Sequence, residues 1–332
     1  MAVVANTFRT TSAVGNREEL ADEVNMIDPE DTPIYTMIGK PRCKSTHPEW
    51  ETISLDTPAE NAIEEGAEYT YESTTAATRV GNYTQIFRKT GRVSGTQDAV
   101  DNAGRAEQLA QAKMRKGIAI RKDVEFAIVS NTASVAGTTR YAGSLPSWVA
   151  TNVSRGSGGS NGGFSSGTGL TVAATNGTQR AFTKTILDTV AQSGYNSGAN
   201  FRYLVVSPYV KSVFVTFMSD TNVASFRYAA TDGKNNSIVA NADIYEGPFG
   251  KLNIVPNRVM ATSAAVARNA HFLDPQYVSW AWLKGRAIKE DTDVAKTGDA
   301  EQFVLLGEGT LVVKNEKGLG VAADLYGLTS GS

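Results

Sequence analysis

The sequence has little of the side-chain chemistry on which most enzymes and metal sites depend. Its 332 residues include one cysteine, Cys43, and two histidines, His47 and His271. A single thiol excludes an internal disulfide and a four-thiolate zinc or iron–sulfur site, and two histidines leave little material for a proton relay. Cys43 and His47 are four residues apart, but Pro41 and Pro48 disfavour the helix that would pair them. We therefore predict no metal site and no cofactor.

The chain also lacks long apolar runs and an excess of either charge. No stretch approaches the about 18 apolar residues of a membrane span, and the first residues contain no basic segment followed by an apolar one. Thirty-two Lys and Arg against 34 Asp and Glu give a net charge of −2, so no global basic field holds the chain on nucleic acid. We expect a protein of a reducing cytosol without membrane contact.

The near-neutral balance conceals an uneven distribution of charge along the chain. Residues 1–72 contain 15 acids and 5 bases, whereas residues 73–131 contain 5 acids and 10 bases. Solvated surfaces explain such a pattern without any partner. The alternative is that the acidic front of one copy docks on a basic surface of another copy.

Local patterns in the first 131 residues predict an arm, a ribbon and a long helix. Four prolines, at positions 29, 33, 41 and 48, exclude a long helix or a central strand from the first 48 residues, and only residues 16–25 favour a short helix. Residues 49–96 predict a long two-stranded ribbon. Residues 98–131 predict one amphipathic helix of about 30 residues. Its apolar positions recur at four-residue spacing: Ala106, Ala110, Met114 and Ile118, then Ile120, Val124 and Ile128.

A Gly/Ser-rich segment, residues 155–169, follows this helix at some distance. No apolar strand precedes it and no GK[ST] follows it, so the pattern favours a mobile surface loop over a phosphate-binding loop. The rest of the chain predicts helices at 183–193 and 208–218, a buried strand at 201–207, and then mostly strands, at 242–257, 270–283, 301–315 and 319–327. This order favours an α+β fold over regular βαβ winding.

Candidates for catalysis are few. The sequence has no Gly-x-Ser-x-Gly elbow, HExxH, EF-hand or Walker motif. The carboxylate pairs Glu64 with Glu65 and Asp291 with Asp293 lie in polar loops, where nothing indicates the burial that a general acid needs. His271 lies in an apolar strand pattern, which predicts a hydrogen-bonded core or edge residue. The sequence thus indicates an assembly protein, because its extended segments need a partner surface.

Several segments occur in an informative order: NTFRTTSAVGNREEL, TPIYTMIGK, EWET, NAIEEGAEY, NYTQIFRKTGRVSGT, and a helix that begins AVDNAGRAEQLAQ and continues to Arg121, Lys122, Asp123, Val124 and Glu125. Together they resemble the major capsid (major head) proteins of tailed bacteriophages. The resemblance covers about the first 136 residues and, more loosely, FLDPQYVSWAWL. Lys122 is a small departure from the arginine–aspartate pair of that family.

The resemblance implies the Johnson fold of tailed-phage capsids, an α+β fold. It divides the chain into an N-terminal arm (1–48), an extended E-loop (49–95), a peripheral domain with a long spine helix (96–136 and 265–332) and an axial domain (137–264). It implies a structural protein, not an enzyme, that self-assembles as pentamers and hexamers into an icosahedral head. That head would enclose double-stranded DNA without sequence-specific contact. Further partners would be a separate scaffolding protein, a portal and a decoration protein, and the virion would be assembled in the host bacterial cytoplasm.

We expect the acidic arm and E-loop tip of one copy to contact basic positions of the next. The acidic positions are Glu60, Glu64, Glu65 and Glu68, and the basic positions are Arg88, Lys89, Arg92, Lys113, Arg115 and Lys116. Two alternatives remain open from the sequence. One is an encapsulin-like shell around protein cargo, and the other is a soluble enzyme that uses the Gly-rich segment as a lid over a deep polar pocket.

Overall fold

A computed structural model of the chain describes residues 28–71, 73–100, 108–217, 243–291, 293–295 and 298–328. The short helix predicted at residues 16–25 lies outside them. The α-helices in this part are α1 (Pro33–Met37), α2 (Gly95–Ala99), α3 (Gln108–Val129), α4 (Lys184–Asn196) and α5 (Pro208–Phe217). The strands are β1 (Arg42–Cys43), β2 (Glu49–Thr52), β3 (Thr78–Gly81), β4 (Gln85–Ser94), β5 (Val153–Ser154), β6 (Gly163–Ser165), β7 (Leu170–Val172), β8 (Tyr203–Val206), β9 (Ile244–Gly247), β10 (Gly250–Pro256), β11 (Ala270–Leu273), β12 (Val278–Leu283), β13 (Lys289–Asp291), β14 (Ala300–Val313) and β15 (Leu319–Ala322).

Two sheets contain most of these strands. In the first sheet the order is β1-β12-β14-β13. Strands β12 and β4 pair with opposite edges of β14, because Gly309 of β14 lies between Trp282 of β12 and Gln85 of β4. The second sheet has the order β5-β15-β11-β8-β10-β9, with α4 packed on β15 and α5 on β8 and β10. Helices and strands follow one another without regular βαβ units, which confirms the predicted α+β class.

Helix α3 is the long helix of the fold, and its start differs from the prediction. It spans 22 residues, or about 33 Å. The prediction that it begins at Asp98 is wrong, because Asp98 belongs to the separate helix α2, which the side chain of Ser94 caps. Val100 then takes an extended conformation, with φ −80° and ψ 137°, and ends α2. Ala106, part of the predicted apolar face, lies outside the described residues.

The apolar face of α3 is buried only over its second half. Ile120, Val124 and Ile128 are fully buried, as their four-residue spacing predicts. Met114 is 61% exposed, and Ala110 is exposed as well. The core of the subunit thus buries the C-terminal turns of the helix fully, whereas Leu109 and Ala112 of the N-terminal turns pack against it only partly buried.

The core has two parts, one on each face of the second sheet. Alternate residues of a strand point to opposite faces, so Val205 and Val321 join one cluster while Leu204 and Phe272 join the other. The first cluster continues through the buried face of α3 into the first sheet, where it includes Trp280, Phe303 and Leu311. The second is closed by helices α4 and α5 through Leu187, Val210 and Phe214.

The two-stranded ribbon predicted over residues 49–96 has shorter strands in the structure. Strands β2 and β3 pair over four residues each, with Trp50 opposite Val80. Residues 85–94, predicted as part of the ribbon, instead form β4 in the first sheet, where Phe87 and Val93 are buried. The boundaries of the arm, E-loop, peripheral and axial domains stay a prediction.

The Gly/Ser-rich segment is also different from its prediction. A mobile loop was expected, but β6 and β7 form an antiparallel hairpin, and a further bridge joins Ser160 to Thr175. The ring of Phe164 supplies an apolar contact that the glycines around it lack, because it stacks on the buried Trp148.

Candidate assembly surfaces

The excursion, which we define as residues 53–77, is exposed along its whole described length. It leaves the stem, formed by β2 and β3, and its described residues form no helix or strand. Its large apolar side chains have no cover on their own chain, and their exposed fractions are 68% for Ile53, 95% for Leu55, 73% for Ile63, 88% for Tyr69 and 92% for Tyr71. Burying one such side chain contributes about 1.5–3 kcal/mol, so this segment gains stability from a partner surface.

The excursion is also strongly acidic. It contains six acids and no Lys or Arg. The four acids predicted as assembly contacts, Glu60, Glu64, Glu65 and Glu68, are exposed. Among the described residues, none of the four forms an ion pair with a Lys or Arg. Their charge is therefore available to a partner.

The six basic positions of the prediction lie on β4 and α3, two elements that pack against each other. Two of them are already paired within the subunit: Lys89 Nζ is 2.7 Å from Asp123 Oδ2, and Lys113 Nζ is 2.8 Å from Glu290 Oε1. A second group, Arg88, Arg115 and Lys116, is exposed and forms no ion pair with any described residue. Arg92 is exposed on β4 as well. Their role in assembly stays a prediction.

A groove of about 310 Å³, lined by apolar side chains and by polar ones that include Asp123, lies where β4 meets the C-terminal part of α3. Its large side chains are half-exposed, with exposed fractions of 50% for Ile86, 44% for Phe126 and 43% for Tyr141. The unpaired Arg88 is part of its lining. Sequence reasoning missed this groove, because Ile86 and Phe126 come from segments about 40 residues apart and each reads as an ordinary core position.

The stem from which the excursion leaves is held firmly. Asn82, fully buried, donates from Nδ2 to the carbonyls of Gly143 (3.1 Å) and Leu311 (2.7 Å), and its Oδ1 accepts from Gly143 N–H (2.8 Å). Trp50 Nε1 donates to the carbonyl of Val313 at 2.9 Å. The ring of His47 stacks on Tyr83 with centroids 4.1 Å apart. A fixed stem thus carries an exposed excursion.

A buried acid, Glu308, ties this region to the rest of the first sheet. Its Oε1 accepts from Thr84 Oγ1 at 2.7 Å and pairs with Arg140 at 2.8 Å, while Oε2 pairs with Arg286 Nε at 3.0 Å. Two cations and a hydroxyl thus satisfy the carboxylate. No local pattern predicts this network, because its partners come from three separate loops.

A second buried acid, Glu125, lies on α3 and forms no ion pair with any described residue. Its Oε1 accepts from Ile34 N–H (3.0 Å) and Asn257 Nδ2 (2.6 Å), and its Oε2 accepts from Tyr35 N–H (2.8 Å). Burial raises the pKa of Glu125, and these three hydrogen bonds oppose the rise. Charged positions of an amphipathic helix normally face solvent, but Glu125 is fully buried. The sequence feature that indicates its burial is its position as a single acid inside the apolar run Val124–Val129.

The two histidines and the cysteine do not converge on a site. Cys43 is buried in β1, where desolvation raises the pKa of its thiol, and His47 lies beside Glu49 (3.8 Å) and Tyr83. His271 is fully buried, as predicted, but neither ring nitrogen has a hydrogen-bond partner in the described part of the chain. The prediction that it is hydrogen-bonded is therefore wrong. No three His, Cys, Asp or Glu side chains among the described residues are grouped to hold a metal.

No helix in the described ranges combines the length and the apolar character that crossing a bilayer requires.

The fold is similar to that of known capsid shells. The capsid asymmetric unit of cyanophage A-1(L) matches with a TM-score of 0.67 over 96% of this chain and 98% of that one, at 12% identity. The capsid of a native GTA particle matches with a TM-score of 0.61 at 10% identity, over 96% and 98%. The holo-SrpI encapsulin complex from Synechococcus elongatus matches with a TM-score of 0.58 at 8% identity, over 96% of each chain. These similarities confirm the predicted Johnson fold.

Sequence comparison identifies the family. The major capsid protein of Escherichia phage Phieco32 is 32% identical over 120 residues, which are 36% of this chain and 34% of that protein, so the match spans about a third of that relative. The family described as SU10 major capsid protein matches residues 4–326. The predicted resemblance to phage major capsid proteins is thus confirmed, and the chain belongs to the SU10 major capsid protein family.

Proposed function

We propose that this chain forms the wall of an icosahedral phage head by self-assembly as pentamers and hexamers, and that the head encloses double-stranded DNA without sequence-specific contact. The observation that carries the proposal is the excursion, because its five large apolar side chains are exposed, and its acids Glu60, Glu64, Glu65 and Glu68 form no ion pair with any described residue. A structural role of this kind needs neither catalysis nor a cofactor.

Charge supports a second copy as the partner of the excursion. The excursion contains acids alone, whereas β4 and the first half of α3 present Arg88, Arg115 and Lys116, which form no ion pair with any described residue. Each exposed pair contributes only about 0–1 kcal/mol, but a closed ring repeats the contact at every subunit. Such a contact gives register and speed of association more than affinity.

Apolar complementarity supports the same partner. The groove beside β4 exposes Ile86, Phe126 and Tyr141, and Arg88 lies in its lining. Within the excursion, Ile63 and Tyr69 flank the acidic residues Glu64, Glu65 and Glu68. We infer that an apolar side chain of the excursion enters the groove of a neighbouring copy while the adjacent acids meet Arg88.

The remaining partners follow from the same role. We propose that a separate scaffolding protein guides assembly, that a portal occupies one vertex, and that a decoration protein binds the finished shell. Assembly would take place in the host bacterial cytoplasm, and the protein would then remain in the virion. The acidic front of the chain supports a contact between copies, not a DNA contact, because DNA phosphates repel carboxylates.

The first experiment is assembly of the full chain, followed by light scattering and negative-stain electron microscopy across protein and salt concentrations. We expect closed shells, or rings of five or six, for the parent chain. Reversal of two tip charges, Glu64→Lys with Glu65→Lys, should raise the concentration needed for assembly and weaken its salt dependence. Asp293→Lys, an exposed acid outside the excursion, is the matched control. Unchanged assembly in the double variant would contradict the proposed contact.

An encapsulin-like shell is the second candidate, because the SrpI encapsulin shares the fold. The contents of particles from infected cells separate the two. Nuclease-protected double-stranded DNA supports the phage head, whereas particles filled with protein and free of DNA support the alternative.

A further inference from the structure

We propose that the Gly/Ser hairpin, residues 155–172, positions the excursion by supporting its stem through the rings of Phe164, Trp148 and Trp50. We call these three rings the aromatic stack. The inference rests on the proposed function, in which the excursion of one copy docks on the next. It gives a role to the one sequence feature, the Gly/Ser-rich segment, that the assembly contacts themselves do not use.

The aromatic stack is continuous from the hairpin to the stem. Phe164, on β6, stacks on Trp148 with an interplanar angle of 7° and centroids 5.7 Å apart. Trp148 in turn contacts Trp50, on β2, at 5.6 Å and 31°. Trp148 is 2% exposed, so both of its neighbours are held against a buried ring. Aromatic pairs of this geometry stabilise a fold beyond the contribution of their buried area.

Glycine is what allows the hairpin to approach this closely. A Cβ on Gly162 would lie 2.5 Å from the carbonyl oxygen of Pro146 and 2.9 Å from that of Val172. Pro146 belongs to the 3₁₀ turn Leu145–Ser147, which directly precedes Trp148. The backbone of the hairpin therefore presses on the turn that presents Trp148, and any side chain at position 162 would push the two apart.

The hairpin is fixed at its other end to the segment that follows α3. Thr171 N–H donates to Ser134 Oγ (2.7 Å), and Ser134 N–H donates to Thr171 Oγ1 (2.8 Å). Asn131 Oδ1 accepts from Ala174 N–H at 3.0 Å. The support for the stem thus runs from the end of α3 through the hairpin to Trp50.

A small movement at the stem produces a large one at the tip. Each side of the excursion has about 12 residues and reaches at most about 40 Å when extended, so a tilt of about 10° at the stem displaces the tip by about 7 Å. Such a displacement exceeds the length of an ion pair. The aromatic stack would therefore decide whether the tip meets its acceptor, without itself touching the neighbouring copy.

A distance measurement on the unassembled full-length subunit tests this directly. Spin labels are attached at Ala59→Cys in the excursion and Ala110→Cys in α3, in a Cys43→Ser background, and the distance distribution is recorded by pulsed electron spin resonance. We expect Phe164→Ala to broaden and shift the distribution. Phe249→Ala is the matched control, because Phe249 is also a half-buried ring in an aromatic pair, with Tyr195, but has no link to the stem. An unchanged distribution in Phe164→Ala would overturn the proposal.

Assembly provides the second readout. Phe164→Ala and Gly162→Ala should both yield fewer closed shells or aberrant forms, whereas Phe249→Ala should assemble as the parent does. If Phe164→Ala fails to fold, Phe164→Leu keeps an apolar side chain without the ring and takes its place. The two proposals fail separately. If the Glu64/Glu65 double variant assembles normally, the proposed contact of the excursion is excluded. If that variant does not assemble while the Phe164 variants keep the parental distance distribution, only the supporting role of the aromatic stack is excluded.

Discussion

Asn257 donates a 2.6 Å hydrogen bond from Nδ2 to Glu125 Oε1, deep in the subunit, and so joins the loop after β10 to helix α3. The same carboxylate accepts the N–H groups of Ile34 and Tyr35 from the first turn of α1. Three segments distant in sequence therefore meet at one side chain, and every partner of that side chain is a donor.

The first prediction concerns this carboxylate. Glu125→Ala leaves three buried donors without an acceptor, so we expect the free energy of unfolding of the subunit to fall by about 3–5 kcal/mol. Chemical denaturation of the unassembled subunit measures the change. Glu51→Ala, at an exposed position of the stem, should cost less than about 0.5 kcal/mol. If Glu125→Ala lowers the free energy of unfolding as little as Glu51→Ala does, the three hydrogen bonds contribute little to stability.

The second prediction concerns the anchor of the stem. Asn82→Ala removes three hydrogen bonds between the Asn82 side chain and the backbone of Gly143 and Leu311. We expect the free energy of unfolding to fall by about 2–4 kcal/mol. Proteolysis should also begin to cut within β2 and β3, in addition to the exposed excursion. Asn253→Ala is the control, because the side chain of Asn253 makes one exposed hydrogen bond to the Arg202 carbonyl. Equal protease patterns in both variants would show that Asn82 does not hold the stem.

Sequence patterns predicted best what depends on local periodicity. The buried positions Ile120, Val124 and Ile128 follow from a spacing of four, and the helix over Lys184–Asn196 was predicted within a few residues. The start of α3 was wrong because nothing in the letters around Asp98 shows that Val100 is extended.

Long-range contacts explain most of what the sequence could not predict. The Gly/Ser hairpin reads as a loop because its order comes from Trp148 and from close backbone contacts, which no composition reveals. Glu308 and Glu125 are buried because hydrogen-bond partners from segments distant in sequence satisfy their carboxylates. Of the predicted assembly residues, the structure shows that Lys89 and Lys113 are paired within the subunit, which only the fold could establish.

The third prediction concerns acid stability and His271. Burial, together with the nearby charge of Arg155, lowers the pKa of His271 to about 3, against an ordinary value of about 6.5. As the pH falls from about 6.5 toward 3, the unfolded chain binds a proton at this site and the native chain does not. Stability from this site is therefore fully present above pH 6.5 and declines by up to about 1.4 kcal/mol per pH unit below it.

The variant His271→Leu isolates that effect. The free energy of unfolding of both proteins is measured between pH 7.5 and 4.5, and their difference is compared across pH so that other titrating groups cancel. We expect the parent to lose stability relative to the variant as the pH falls. A pH-independent difference would show that His271 keeps its ordinary proton affinity in the fold.

The last prediction separates the free basic residues from the paired ones. Arg115→Glu with Lys116→Glu removes two exposed charges that no described residue neutralises, so we expect slower assembly at low salt and a much smaller effect of added salt. Lys113→Ala breaks the ion pair with Glu290 and should change assembly less, because its charge is already satisfied. Arg202→Glu, an exposed reversal beside the second sheet, controls for net charge. Light scattering against salt concentration ranks the variants. If Arg202→Glu and the double variant slow assembly equally, general repulsion between subunits explains the effect, and a specific contact on α3 is excluded.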